Sequence, residues 1–273
     1  MKRFALTILL ALMPALATTL AATQAAAQSY DDVVEAQLLP GWRLPNGDHM
    51  AALHLKLAPG WKTYWRSPGD AGIPPQFDWR GAQNMAAIGV YWPAPQVFWQ
   101  SGMRSVGYKG GVILPLKVRL QDSGRDARLG GVIDIGICKD VCLPHRIRVS
   151  AVLPADQTKP DPAIAAAMAD VPFGASDAGV THVACKITPR ADGMGLRVAI
   201  DMPRGTGREE TVIEAADPNL WIADPDTGWQ GGQLVAQTRV THMSGGAFAL
   251  DRSGLRITVL GGRMPVDIRG CTG

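Results

Sequence analysis

Cys138 and Cys142 are the only reactive side chains that stand close enough in this sequence to act together. A disulfide needs their Cα atoms within roughly 4.4–6.8 Å, whereas an extended strand would hold them roughly 13 Å apart. The segment is therefore predicted to bend, as a tight loop or a single helical turn. In the chain-entropy model so short a loop stabilises a fold by only about 2 kcal/mol, against about 4–5 kcal/mol for many tens of residues. The spacing favours redox or metal chemistry.

Three chemistries compete for this pair. The first is a static structural disulfide in a non-catalytic interaction module, which the short loop disfavours. In the second, the pair cycles between dithiol and disulfide by thiolate attack on a partner's disulfide. Lys139 and His145 would then favour the thiolate, while Asp140 would oppose them. In the third, the two sulfurs bind Cu(I), with His145 as a candidate third ligand.

The sequence on both sides of the pair alternates between apolar and polar residues. This strand pattern places Cys138 and Cys142 at the neck of a β-hairpin. Upstream, residues 97–102 lie between two predicted strands and end in turn residues, which places Phe98 and Trp99 on a loop. Aromatic side chains on a loop can shield a reactive site or fold onto the core, and the pattern alone leaves both open.

The N-terminus, residues 1–27, has the parts of a secretory signal peptide: Lys2 and Arg3, an apolar run, and small residues at its end. Cleavage would leave an exported protein of about 246 residues. An uncleaved membrane anchor is the alternative, which the Ala/Thr-rich tail suits poorly. Without the two cations the formal charge falls from +3 to +1. This balance argues against nucleic acid or an anionic membrane surface as the main partner.

Short alternating runs separated by Gly and Pro predict strands in both halves of the chain, so the predicted fold is all-β. We predict two β-sandwiches, at residues 28–155 and 180–273, joined by a linker at 156–179. The linker holds one short Ala-rich helix, with Asp161 as its predicted N-cap and Pro162 as its first residue.

The other two cysteines, Cys185 and Cys271, begin and end the predicted second sandwich. A bond between them would close a loop of about 87 residues and would be a structural staple worth about 4–5 kcal/mol. Free thiols, or a bridge to another molecule, are the alternatives. In an oxidising compartment four cysteines can pair in three ways, and the sequence does not choose among them.

Three segments in a fixed order resemble the N-terminal periplasmic domain of the DsbD thiol:disulfide interchange proteins and the related ScsB proteins, which are associated with copper tolerance. The first is residues 60–74, followed by Trp79; the second is 97–102, which continues through 107–116; the third is 136–144. Together they span roughly residues 30 to 154.

The resemblance implies an immunoglobulin-like sandwich that works without a cofactor. Such a domain accepts electrons from a membrane-embedded thiol reductase and passes them to oxidised periplasmic proteins, thioredoxin-like proteins among them. By this resemblance Cys142 exchanges with partners and Cys138 is its resolving mate. Phe98, with Trp99 beside it, covers the cysteines until a partner displaces the cap.

The sequence departs from the DsbD pattern in several places. DsbD spaces its cysteines more widely, and acidic residues common before its cap aromatic are replaced here by Gln96 and Val97. His145 stands where a second proline is common. No membrane carrier or C-terminal thioredoxin-like domain follows, so the electrons are expected from a separate polypeptide.

Overall fold

The computed structural model describes residues 32–100 and 102–273, which it folds into nineteen strands and one helix. The predicted signal peptide at residues 1–27 lies outside this part. The strands of the first half are β1 Val34–Arg43, β2 His49–Leu57, β3 Lys62–Tyr64, β4 Gln76–Asp78, β5 Met85–Val90, β6 Gln96–Gln100, β7 Met103–Lys109, β8 Gly111–Leu120, β9 Ala127–Cys138 and β10 Cys142–Leu153. After helix α1, Pro162–Ala169, come β11 Phe173–Gly174, β12 His182–Arg190, β13 Gly193–Asp201, β14 Glu210–Ala215, β15 Leu220–Ile222, β16 Asp226–Gln230, β17 Gln233–His242, β18 Leu255–Leu260 and β19 Val266–Arg269.

The first ten strands form a sandwich of two sheets. One sheet has the order β1-β2-β8-β5, and the other has the order β10-β9-β3-β7-β6, with β4 paired to β9. Fully buried side chains come from both sheets, for example Leu53 and Leu116 from one and Ile133 and Ile137 from the other. Their burial supplies most of the stabilisation of the fold, since apolar area is removed from water on the facing sides.

The remaining strands form a second sandwich of the same kind. Its sheets have the orders β11-β19-β18-β14 and β12-β13-β17-β15, with β16 paired to β17. Cys185 is buried within its apolar core and is disulfide-bonded to Cys271, with the two Cα atoms 5.7 Å apart. The predicted all-β fold with two immunoglobulin-like sandwiches is thus confirmed.

Between the sandwiches, helix α1 begins as predicted. Asp161 is its N-cap, and the carboxylate accepts hydrogen bonds from the backbone N–H groups of Ala163 and Ile164. Ile164 is fully buried beside Met50, so the helix packs on the first sandwich. β11 falls inside the predicted linker but pairs with β19 of the second sandwich. The described residues belong to one compact unit, and the domain boundaries at 155 and 179 stay a prediction.

Candidate functional site

The cysteine pair lies where the sequence predicts, at the neck of the hairpin formed by β9 and β10. In the antiparallel register of these strands Cys138 stands directly opposite Cys142. The Cα atoms are 4.1 Å apart and the two side chains form a disulfide. The N–H of Lys139 donates to the carbonyl of Val141 across 3.4 Å, which closes the turn between the two cysteines.

The two cysteines differ sharply in their exposure. Cys138 is only 1% exposed, whereas Cys142 is an exposed residue at the start of β10. Next to it, Val141 is 63% exposed. An external thiolate must reach a sulfur along the S–S axis, so Cys142 is the accessible end of the bond and Cys138 the sheltered end.

Strand β3 brings further side chains to the same face as the pair. Lys62 stands opposite Cys138 on one side and opposite Lys109 on the other. Side chains directly opposite one another on neighbouring strands share a face of the sheet. Lys62 and Tyr64, two residues apart on β3, therefore both lie on the cysteine face.

Tyr64 is the closest polar neighbour of the exposed cysteine. Its hydroxyl donates to Cys142 Sγ across 3.0 Å and also lies 3.4 Å from the carbonyl of Ala71. Burial raises the pKa of Tyr64, so the hydroxyl keeps its proton and remains a donor at neutral pH. The arrangement provides a hydrogen bond for negative charge on this sulfur.

Gly136 explains how the ring of Tyr64 fits against β9. A Cβ at this position would lie 2.6 Å from Tyr64 Cδ2 and 2.7 Å from Ile73 Cβ, closer than real contacts allow. The glycine therefore leaves the space in which the tyrosine ring crosses the strand toward Cys142.

Phe98 and Trp99 do not lie on a loop, and that expectation is wrong. Both belong to β6, which pairs with β7 in a hairpin that we call the cap hairpin, residues 96–109. The turn residues that suggested a loop mark the turn of this hairpin instead, where Gly102 has a φ of 78°. Successive residues of a strand point to opposite faces. Phe98 therefore lies on the cysteine face, while Trp99 lies on the other and is 64% exposed.

Lys62 connects the cap hairpin to the cysteine hairpin. Its Nζ lies 5.2 Å from the centre of the Phe98 ring and donates to Gln100 Oε1 at 3.3 Å and Ser105 Oγ at 3.2 Å. The amide of Gln100 donates in turn to the carbonyl of Lys139, across 3.1 Å. Burial lowers the pKa of Lys62. These contacts hold the tip of the cap hairpin against the turn between the cysteines.

His145 is not brought to the sulfurs. It stands three residues beyond Cys142 on β10, opposite Ile135, and strand alternation places it on the other face of the sheet. Lys139 and Asp140 are exposed residues of the turn. Among residues 32–100 and 102–273 no three His, Cys, Asp or Glu side chains are grouped as a metal site. The geometry therefore gives no support to His145 as a third ligand for Cu(I).

Sequence reasoning missed two members of the site, Lys62 and Tyr64. Both stand in the segment 60–74 that carries the family resemblance, but the sequence alone assigns neither of them a role. The alternation Lys62-Thr63-Tyr64 indicates that the two share a face, although three residues are too few to establish a strand period. Which face they share depends on pairing with strands far away in the sequence.

Comparison with known families identifies the domain that holds this site. Residues 35–154 match the model of the N-terminal domain of the thiol:disulfide interchange protein DsbD. This part of the chain is a DsbD/ScsB-type N-terminal domain. The predicted resemblance is confirmed, and the matched residues include both hairpins of the site.

A solved structure extends the likeness beyond this DsbD-type domain. The N-terminal periplasmic domain of ScsB from Proteus mirabilis has a TM-score of 0.68 and 25% sequence identity, over 90% of this chain and 96% of that chain. A search of curated proteins gave no match. Within the described residues, no helix has the length and apolar character to cross a membrane.

Proposed function

We propose that the DsbD-type domain passes reducing equivalents between partner proteins by thiol–disulfide exchange at Cys138 and Cys142. The observation that carries this proposal is the asymmetric disulfide: one sulfur belongs to a buried residue, and the other to an exposed residue that accepts a hydrogen bond from Tyr64. A disulfide kept only for stability gains nothing from an open end with a polar donor beside it.

The exchange proceeds in two displacements. A thiolate of a reduced partner attacks Cys142 Sγ, a bond forms between the two proteins, and Cys138 leaves as a thiolate that takes up a proton. The second thiolate of the partner then attacks the partner sulfur that is bonded to Cys142, and Cys142 leaves as a thiolate. The partner ends oxidised and this domain reduced, by two electrons. Reversal of both steps reduces an oxidised substrate protein.

Tyr64 assists the second displacement. Its O–H points at the sulfur on which negative charge develops when Cys142 leaves. A hydrogen bond to the charged form stabilises that form, so Tyr64 favours both the departure of the Cys142 thiolate and its later attack on a substrate. The two sulfurs carry the electrons themselves, and no cofactor is needed.

The cap hairpin restricts access to the pair. Phe98 lies on the cysteine face under the ammonium of Lys62, and the tip is held by Gln100. In this proposal a partner displaces Phe98 as it docks. Trp99, Val141 and Met103, all more than half exposed at this end of the sheet, supply the apolar area for docking.

We assign the partners and the compartment from the likeness to DsbD and ScsB. The reducing partner is a membrane-embedded thiol reductase, and the oxidised partners are thioredoxin-like proteins. Both meet this domain in the periplasm, which agrees with the predicted signal peptide at residues 1–27. The chain would then act as a protein-disulfide reductase component of a relay.

Trapping of the mixed disulfide tests this function. In Cys138→Ala the remaining thiol of Cys142 has no resolving cysteine. Disulfide-linked complexes with thioredoxin-like periplasmic proteins should therefore accumulate, and a reductant should release them. The matched control is Cys142→Ala, which retains the buried thiol and should trap little. Failure of Cys138→Ala to trap any partner, or equal trapping by the two variants, would rule the proposal out.

A further inference from the structure

The second sandwich contacts the cap hairpin through a buried arginine. Arg104 lies on β7, and its side chain is 3% exposed. Nη1 donates to Asp224 Oδ1 at 2.8 Å, Nη2 donates to the carbonyl of Thr211 at 3.0 Å, and Nε lies 3.3 Å from Glu210 Oε2. Because the second sandwich contacts this guanidinium group at three nitrogens, it fixes the orientation of the Arg104 side chain as well as its distance from the second sandwich.

The position of Arg104 on β7 gives these contacts their significance. Its cross-strand partner is Trp99, and its neighbour Ser105 is the partner of Phe98. Ser105 also accepts the hydrogen bond from Lys62 on the cysteine face. Two successive residues of β7 therefore make contacts on opposite faces of the strand. Ser105 contacts Lys62 on the cysteine face, and Arg104 contacts the second sandwich on the other face.

The second sandwich also holds the loop that follows β3. Trp221 Nε1 donates to Asp70 Oδ1 at 3.1 Å, and the next residue, Ala71, contributes the carbonyl that lies near the Tyr64 hydroxyl. At the start of the same loop, Arg66 donates to both carboxylate oxygens of Glu214. These contacts thus fall on the loop that follows β3 and on strand β7 of the cap hairpin.

We infer that the second sandwich is a positioning element of the redox site, and that Arg104 is the positioning residue through which it holds the cap hairpin against the turn between the cysteines. This inference rests on the proposed function. Loss of the ion pairs at Arg104 would let β7 and β6 move together away from β3, and the contacts of the hairpin tip with Lys62 and Lys139 would form less of the time. The accessible state of the disulfide would become more populated.

The test is the rate at which dithiothreitol reduces the Cys138–Cys142 bond in the full chain, read by mass-tagging of the released thiols. Asp224→Ala removes the 2.8 Å partner of Arg104 and is expected to accelerate reduction about tenfold, as the loss of one charged hydrogen bond allows. Asp224→Asn keeps an acceptor for Nη1 and should lie in between, at about threefold. If Asp224→Ala does not fold, Asp224→Asn alone provides the test.

The matched control is Asp48→Ala, which removes a partly buried carboxylate 3.3 Å from Lys117 on β8, a strand of the sheet that does not hold the cysteines. It should leave the rate unchanged. Each variant must keep the Cys185–Cys271 bond oxidised during the assay, which reports an intact second sandwich. Unchanged rates in both Asp224 variants, or equal acceleration by Asp48→Ala, would overturn the inference. Because the assay uses no partner protein, its failure is distinguishable from a failure to trap partners.

Discussion

The two disulfides of this chain differ in the length of the loop that they close and in their exposure. Cys138 and Cys142 are 4 positions apart at a hairpin neck, with one residue exposed. Cys185 and Cys271 are 86 positions apart, and Cys185 is buried within the apolar core of the second sandwich. In the chain-entropy model the long loop is worth about 4–5 kcal/mol and the short one about 2 kcal/mol. The bond that contributes less to stability is the one that a partner can reach.

The surroundings of the two bonds differ in the same sense. The hairpin pair has a hydroxyl donor, Tyr64, at 3.0 Å from one sulfur, and an ammonium group, Lys62, on the same face. Cys185 packs against apolar residues, and its backbone N–H donates to the carbonyl of Thr272 beside its partner. Groups that stabilise a thiolate would assist exchange at the hairpin pair. Exposure and a polar neighbour are the features that we expect to distinguish the proposed exchanging disulfide from the proposed structural one.

The largest expected effect is on exchange itself. Cys142→Ser removes the accessible sulfur and should abolish disulfide exchange with a thioredoxin-like protein. The double variant Cys185→Ala/Cys271→Ala should retain the wild-type rate at a temperature where it is folded. Stopped-flow measurement of electron transfer to an oxidised partner checks both. If the folded double variant lost disulfide exchange, the assignment of Cys185 and Cys271 to a purely structural role would be wrong.

Stability should respond in the opposite order. Cys185→Ala/Cys271→Ala should lose about 4–5 kcal/mol of unfolding free energy, and Cys138→Ala/Cys142→Ala about 2 kcal/mol or less. Denaturant titration of both double variants under oxidising conditions measures the difference. Equal losses would mean that the hairpin disulfide is a staple after all.

Tyr64→Phe should have an intermediate effect on exchange. The ring is retained and only the O–H donor to Cys142 Sγ is lost, so the rate should fall about fivefold. The pH dependence of the rate should move to higher pH, because the thiolate has lost a stabilising hydrogen bond. Tyr108→Phe is the matched control, since Tyr108 is a buried tyrosine whose hydroxyl donates to the carbonyl of Pro93, in the same sandwich. If the two variants behaved alike, Tyr64 would have only a packing role.

Lys62→Met should give the smallest effect, visible in the pH dependence of stability. Burial lowers the pKa of Lys62, so the unfolded chain binds this proton more tightly than the folded chain. The free energy of unfolding of the wild type should therefore rise, relative to Lys62→Met, as the pH increases toward the usual lysine pKa of about 10.4. Lys109→Met, at the exposed cross-strand neighbour of Lys62, is the matched variant for loss of an ammonium group from the same face. A flat difference for Lys62→Met would remove this residue from the account.

Local signals in the sequence were sufficient for part of the structure. The hairpin around Cys138 and Cys142 follows from alternation on both sides of a short loop, and the cap at Asp161 follows from its place before Pro162. The sequence offers His145 as a candidate ligand, although it stands an odd number of residues from Cys142. Once both residues are assigned to one strand, alternation excludes it from the cysteine face.

The rest of the site depends on long-range pairing. Tyr64 reaches Cys142 across 78 positions, Lys62 reaches Gln100 across 38, and Arg104 reaches Asp224 across 120. No local pattern encodes these partners, because the strand order β10-β9-β3-β7-β6 decides them. Phe98 and Trp99 were misplaced because Gly and polar residues occur both in loops and in the tight turns of hairpins.

A thiol count under graded glutathione buffers tests the central claim most directly. The full chain is equilibrated from oxidising to reducing conditions, and each cysteine pair is quantified separately by alkylation and mass spectrometry. The account predicts that Cys138 and Cys142 become reduced while Cys185 and Cys271 stay bonded. Reduction of both pairs over the same range, or of Cys185 and Cys271 first, would contradict it.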